Sequence, residues 1–224
     1  MTIRLISALL LLATFAGDAG ASEEVLAFNT DIEVKADGTL IVVDEMTVRA
    51  EGDQIKRGII FERQTHFRLA DGTTRTVVFE VEAVLRDGKP HPYHIVREPG
   101  LAKVYIGKAD VFIPPGVYTY SLRYRLTCYL YSRTLYDELE WATGNWTFPI
   151  LGARIRVTLP PGALVLYLDG FTGSAGQRGS DFRVAARSAS GFTVETTRPF
   201  APGEAVTITA RWQRGMVAPC QLVS

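Results

Sequence analysis

The sequence predicts an all-β fold, an antiparallel β-sandwich of about twelve strands, on three observations. Residues 117–130 alternate, with Tyr118, Tyr120, Leu122, Tyr124, Leu126, Cys128 and Leu130 on one side and Thr119, Ser121, Arg123, Arg125 and Thr127 on the other. A period of two marks a half-buried strand. Asp-Gly pairs stand at 37–38, 71–72, 87–88 and 169–170, beside or between apolar segments, which is the strongest short-range hairpin signal. Finally, helical apolar stripes free of Gly and Pro are missing, and only residues 130–139 could hold a short helix.

Taken in order, the chain opens with Arg4, an apolar run over residues 5–16 and the small residues Ala19, Gly20 and Ala21. This is the pattern of a secretory signal peptide over 1–21, cut between Ala21 and Ser22. The run is too short to cross a bilayer core of about 30 Å as a helix, and no spanning helix is expected in the mature chain. The β-sandwich then occupies 22–215, with a possible subdivision near 150 and a tail over 216–224. Pro149 and the Pro160-Pro161-Gly162 stretch punctuate the chain there, and the charge changes sign: residues 22–141 carry 15 basic and 19 acidic side chains, residues 142–224 carry 8 and 4. The two halves are thus expected to attract one another.

Composition narrows the function classes. The 224 residues include 24 Lys plus Arg against 24 Asp plus Glu, with 47% hydrophobic residues, as in an ordinary globular chain. Zero net charge lacks the basic surplus that phosphate contacts demand, so nucleic acid is not an expected partner. Cys128 and Cys220 are an even number that could pair after export, although Cys128 would also serve as a small buried hydrophobe. His91 and His94 flank Pro92 on opposite faces of an extended chain and His66 is remote, so neither a metal nor another cofactor is expected. The Gly-rich stretch 170–179 lacks the Lys-Ser/Thr of a phosphate loop and reads as a mobile hairpin loop.

Two places break the pattern. Asp44 falls on the apolar face of Leu40, Val42, Met46 and Val48, and a buried carboxylate needs a partner. Arg57, just after the loop 51–56, is one solution; a β-bulge that turns Asp44 outward is the other. Aromatic residues crowd residues 118–148, which hold nine of the chain's 23 (3 Trp, 9 Tyr and 11 Phe). Most belong to a core, but periodicity fails from Tyr136 to Trp146, where rings could line a binding edge. If Asp137-Glu138-Leu139-Glu140-Trp141 is a strand, Leu139 and Trp141 face inward with Asp137, while Glu138 and Glu140 share the solvated face. Two carboxylates near aromatics are compatible in spacing with glycoside hydrolysis, and also with any wet strand face.

The order of features is itself distinctive. Phe28-Asn29-Thr30-Asp31-Ile32, Asp37-Gly38-Thr39-Leu40, Glu45 and Arg57-Gly58-Ile59 come first, then Gly116-Val117-Tyr118-Thr119-Tyr120 and Tyr124. Asp137-Glu138-Leu139-Glu140-Trp141, Gly144-Asn145-Trp146 and Phe148-Pro149-Ile150 complete the series. This resembles the bacterial family of predicted membrane proteins called domain of unknown function 2207, over roughly residues 25–215. In that family the Trp is usually followed by Asn, where this chain has Ala142. The resemblance implies an extracytoplasmic β domain that precedes transmembrane helices, and it brings no established activity. Two functions are weighed. One is a non-catalytic exported domain that binds an envelope protein or ligand through Arg57, Tyr136, Glu138, Glu140, Trp141, Asn145 and Trp146. The alternative is an envelope-directed hydrolase using Glu138 or Glu140.

Overall fold

The computed structural model describes residues 22–69, 72–144 and 146–220; the signal-peptide assignment to 1–21 and the candidate Asn145 lie outside them. The described residues form seventeen strands and no helix. These are β1 (Glu24–Val34), β2 (Leu40–Ala50), β3 (Gly58–Gln64), β4 (His66–Arg68), β5 (Thr74–Thr76), β6 (Val78–Arg86), β7 (Lys89–Pro90), β8 (Tyr93–Glu98) and β9 (Leu101–Gly107). They continue as β10 (Gly116–Thr127), β11 (Tyr131–Ser132), β12 (Tyr136–Ala142), β13 (Ala153–Thr158), β14 (Tyr167–Gly173), β15 (Phe182–Ser188), β16 (Gly191–Thr196) and β17 (Ala205–Gln213). The excess over twelve comes chiefly from β4, β5, β7 and β11, whose two or three residues are too few to show a period. Residues 130–139 are not helical but form the β11–β12 hairpin, closed by the Arg133 amide donating to the Tyr136 carbonyl at 2.9 Å.

Eight strands form one sheet in the order β15-β16-β13-β1-β2-β10-β6-β7. Its β1–β13 pair is parallel, an exception to the antiparallel expectation, and it joins strands from either side of residue 150. A second sheet runs β11-β12-β17-β14, a third β3-β9-β8, and β4 pairs with β5. Buried side chains from all but the two-stranded sheet share one hydrophobic core. Phe61 of β3 reaches Tyr124 of the large sheet with ring centroids 5.6 Å apart, and Trp146 meets Phe28 edge-on at 5.4 Å.

Register follows the alternation. On β10, Tyr120, Leu122, Tyr124 and Leu126 are fully buried and lie opposite Met46, Asp44, Val42 and Leu40 of β2. Arg123 and Arg125 face solvent and share Glu82 at 2.8 and 3.2 Å, so a slip of one residue would drive two guanidinium groups into the core. Tyr118 is only half-buried near the strand's start. At the other end the strand stops at Thr127, because Cys128 takes a left-handed φ of 66° and joins Cys220 in a disulfide that ties the tail to β10.

Of the Asp-Gly pairs, three place a glycine with positive φ in a hairpin turn: Gly38 (81°) between β1 and β2, Gly72 (85°) between β4 and β5, and Gly88 (75°), after Asp87 (51°), between β6 and β7. Asp169-Gly170 is no turn. It lies inside β14, where a Cβ on Gly170 would stand 2.7 Å from the Thr207 carbonyl oxygen. The expected loop at 170–179 is accordingly strand at its start, and Thr172 and Gly179 exchange backbone bonds of 2.9 and 2.7 Å. The opposite net charges of the halves take concrete form in Arg156 on Asp31 (2.6 Å), Arg211 on Glu138 (2.6 Å) and Arg214 on Asp137 (2.8 Å).

Candidate functional site: a cleft beside β3 and its buried ion pair

Asp44 is buried, and its partner is not Arg57. The β2–β10 ladder runs unbroken through Leu122↔Asp44, so no bulge turns the carboxylate outward. Its two oxygens accept from the Thr30 hydroxyl at 2.6 Å and the Tyr124 hydroxyl at 2.7 Å, and Arg63 of β3 stands 3.5 Å away. Arg57, the expected partner, is exposed and lies over the Phe112 ring at 4.3 Å. The difference of six residues arises because β3 carries Ile59, Phe61 and Arg63 inward on alternate positions. Burial pushes the Asp44 carboxyl above its ordinary value, against the pull of Arg63, Thr30 and Tyr124. For Arg63 burial opposes the charge, but Tyr124 and Asp44 outweigh it.

Arg63 is only 6% exposed. Its Nη2 donates to the Tyr124 hydroxyl at 2.8 Å, and its guanidinium lies 4.4 Å from the Trp141 ring. Its Nε is buried with no partner, an exception to the satisfaction of nearly all buried donors.

Arg63 is also among the residues that line a cleft of about 500 Å³. One wall is β3, contributing every residue from Gly58 to Gln64; the other is the last residue of β12, Ala142, and the segment after it, with Thr143, Gly144, Trp146, Thr147 and Phe148. Phe67, Leu101 and Tyr129 line it further, and Gln54 and Ile55 come from the loop before β3. The volume lies in the range of ligand pockets, roughly 300–1,000 Å³. Glu23 fixes that loop: its carboxylate accepts from the backbone amides of Glu51, Gly52, Asp53, Gln54 and Ile55 at 2.7–3.1 Å. Although burial acts to raise its pKa, these amides hold the Glu23 carboxyl below its ordinary value.

The residues singled out in the sequence divide between the two faces of β12. Trp141, 1% exposed, points inward onto Arg63 and Tyr129. Trp146 is also buried, with its indole N–H donating to the Thr143 carbonyl at 3.1 Å, and it borders the cleft. Tyr136, Glu138 and Glu140 occupy the outward face. There Glu138 departs from the expected solvated carboxylate: it is 5% exposed, accepting from Arg211 Nε at 2.6 Å and Arg133 Nη2 at 3.4 Å. The Arg211 guanidinium sits between the Tyr136 and Tyr167 rings, 4.6 Å from each. Glu140 is exposed. Asp137 is fully buried and binds Arg214 Nη1 at 2.8 Å and the Gly215 amide at 3.1 Å. His94 stacks on Tyr105 at 4.8 Å and His91 faces Tyr120 at 6.2 Å; no group of three or more potential metal-binding side chains occurs among the described residues.

A family model described as the N-terminal domain of a predicted membrane protein, domain of unknown function 2207, matches residues 24–212. The uncharacterized protein YciQ of Escherichia coli strain K12 is 26% identical over 200 residues, which cover 88% of this chain and 31% of the relative. The chain thus spans about a third of that relative's length. Among solved structures, yeast leukotriene A4 hydrolase in complex with bestatin aligns with a TM-score of 0.53 at 10% identity, over 84% of this chain and 28% of the other. The native Saccharomyces cerevisiae enzyme gives 0.50 at 10% identity, over 84% and 29%. At such identity the likeness is one of fold. No helix among the described residues is long and apolar enough to cross a membrane.

Proposed function

The chain belongs to the domain of unknown function 2207 family, and from that premise we propose that it is an exported β domain that binds an envelope protein or ligand in the cleft beside β3, without catalysing a reaction. The observation that carries this reading is the cleft itself, about 500 Å³ and largely apolar, with Glu62, Arg63 and Gln64 of β3 among its few polar side chains. A few placed polar groups among apolar walls are what orient a ligand. Export is supported by the signal-peptide pattern at the N-terminus and by the Cys128–Cys220 disulfide, a bond that persists in oxidising compartments.

Hydrolysis by Glu138 or Glu140 fits the geometry less well. Both carboxylates sit on the face of β12 opposite Trp141 and Arg63, and both Glu138 oxygens already accept from arginines. The test is a photo-crosslinking residue placed at the exposed Thr147 of the protein in its host cell, with the exposed Arg187 on β15 as the control position. A discrete adduct at 147 alone, retained when Glu138 and Glu140 are both changed to Gln, is expected. No adduct at 147, or equal adducts at both positions, would overturn cleft binding; loss of the adduct in the double Gln variant would return weight to the hydrolase.

A further inference from the structure

Resting on that reading, we infer that the cleft takes an extended, uncharged peptide segment of a partner protein, which adds to the free edge of β3 as a fourth strand of the β3-β9-β8 sheet. Among the described residues β3 pairs with β9 alone. The direction of its backbone groups follows from the register. The Thr65 amide donates to the Gly100 carbonyl at 2.8 Å, continuing the pairing of Gln64 with Leu101. In an antiparallel ladder alternate residues aim both backbone groups at the partner, so Ile59, Phe61 and Arg63 serve β9. Ile60, Glu62 and Gln64 turn their N–H and C=O the other way. That way lies the cleft: all seven residues of β3 line it, from both of its faces, while Leu101 is the only contribution of β9.

Proteins usually blunt a free edge with proline, lysine or an inward-pointing charge; β3 has neither proline nor lysine, and its inward Arg63 is paired with Asp44. Here the sequence is Gly-Ile-Ile-Phe-Glu-Arg-Gln, and the outward Ile60 is half-exposed. The edge is left able to pair, which is the requirement for strand addition. Charge selects the occupant. Arg63 is balanced by Asp44, and Glu62 lies 3.8 Å from Lys103, so a charged ligand would find no uncompensated counter-charge, whereas a neutral chain needs none. A second copy of this chain is the competing occupant, and dimerisation in the experiment below would reveal it.

The probe is the capped heptapeptide Thr-Val-Thr-Val-Thr-Val-Thr, set against the same peptide N-methylated at alternate residues, with amide hydrogen exchange of the mature domain as the readout. The unmethylated peptide should slow exchange at Ile60, Glu62 and Gln64 by about tenfold or more, the methylated one should not, and Ile60→Pro should abolish the effect. Because the Ile60 N–H has no strand partner, that variant should keep its melting temperature within a few degrees. Equal protection by both peptides, protection at another sheet edge, dimerisation in place of peptide binding, or no protection would each overturn strand addition. A position-147 crosslink that persists alongside any of those results rejects strand addition while sparing the binding site; failure of both rejects the site.

Discussion

Two clusters of the same ingredients lie on opposite faces of β12. Inside, Asp44, Arg63 and Tyr124 form a buried set under Trp141. Outside, Glu138, Arg211, Tyr136 and Tyr167 form another that remains open to water, since the Arg211 side chain is 35% exposed. The inner set has lost its solvent and adjoins the cleft; the outer set keeps Arg211 and Arg133 hydrated. Desolvation makes the first expensive to disturb and the second cheap, because removing one partner of a buried ion pair strands the other charge while a surface pair is screened.

The comparison can be broken by mutation, beginning where the effect is largest. Trp141→Ala should cost about 3–5 kcal/mol in chemical denaturation, the range for a buried aromatic. Asp44→Ala, which leaves Arg63 buried and uncompensated, should also cost about 3–5 kcal/mol. Both act on Arg63, so the double variant should lose less than the sum of the two. Glu138→Gln should cost only about 1 kcal/mol, since its arginines can turn to water, and Glu140→Gln should stay within about 0.5 kcal/mol. If Glu138→Gln proved as costly as Asp44→Ala, the distinction between the two faces would fail.

Acid sharpens the comparison further at the loop beside the cleft. The Glu23 carboxyl is held below its ordinary value in the folded chain, so the unfolded chain takes up the proton first as pH falls. Its stabilising effect is full above about pH 4.3, the ordinary value for Glu, and is lost as pH drops through the lower folded value. Thermal melts should therefore fall more steeply below about pH 4.3 for the natural protein than for Glu23→Gln, with parallel slopes as the contrary result.

Much of this architecture is legible in the alternation. The inward positions of β10, the inward Leu139 and Trp141, and the Gly38 and Gly88 turns follow from periods and dipeptides, because each depends on neighbours within a few residues. What the sequence hides depends on distant partners. Arg63 reads as one more charge on an amphipathic strand, and only the stacking of β3 over the large sheet brings it to Asp44 and Tyr124. Glu23 shows no signal of its five backbone amides, since backbone donors leave no residue pattern. Glu138 looks solvated until Arg211, 73 residues later, lies against it. The alternation Ile59, Phe61, Arg63, which puts an Arg where an apolar residue is due, is the available clue, of the same kind as Asp44 itself.

The central claim is that β3 presents an open edge to the cleft, and amide hydrogen exchange along that strand in the protein without ligand tests it most directly. Ile59, Phe61 and Arg63, bonded to β9, should exchange about a hundredfold more slowly than Ile60, Glu62 and Gln64. Uniformly slow exchange at all six amides would mean that the edge is already covered, and would contradict the account.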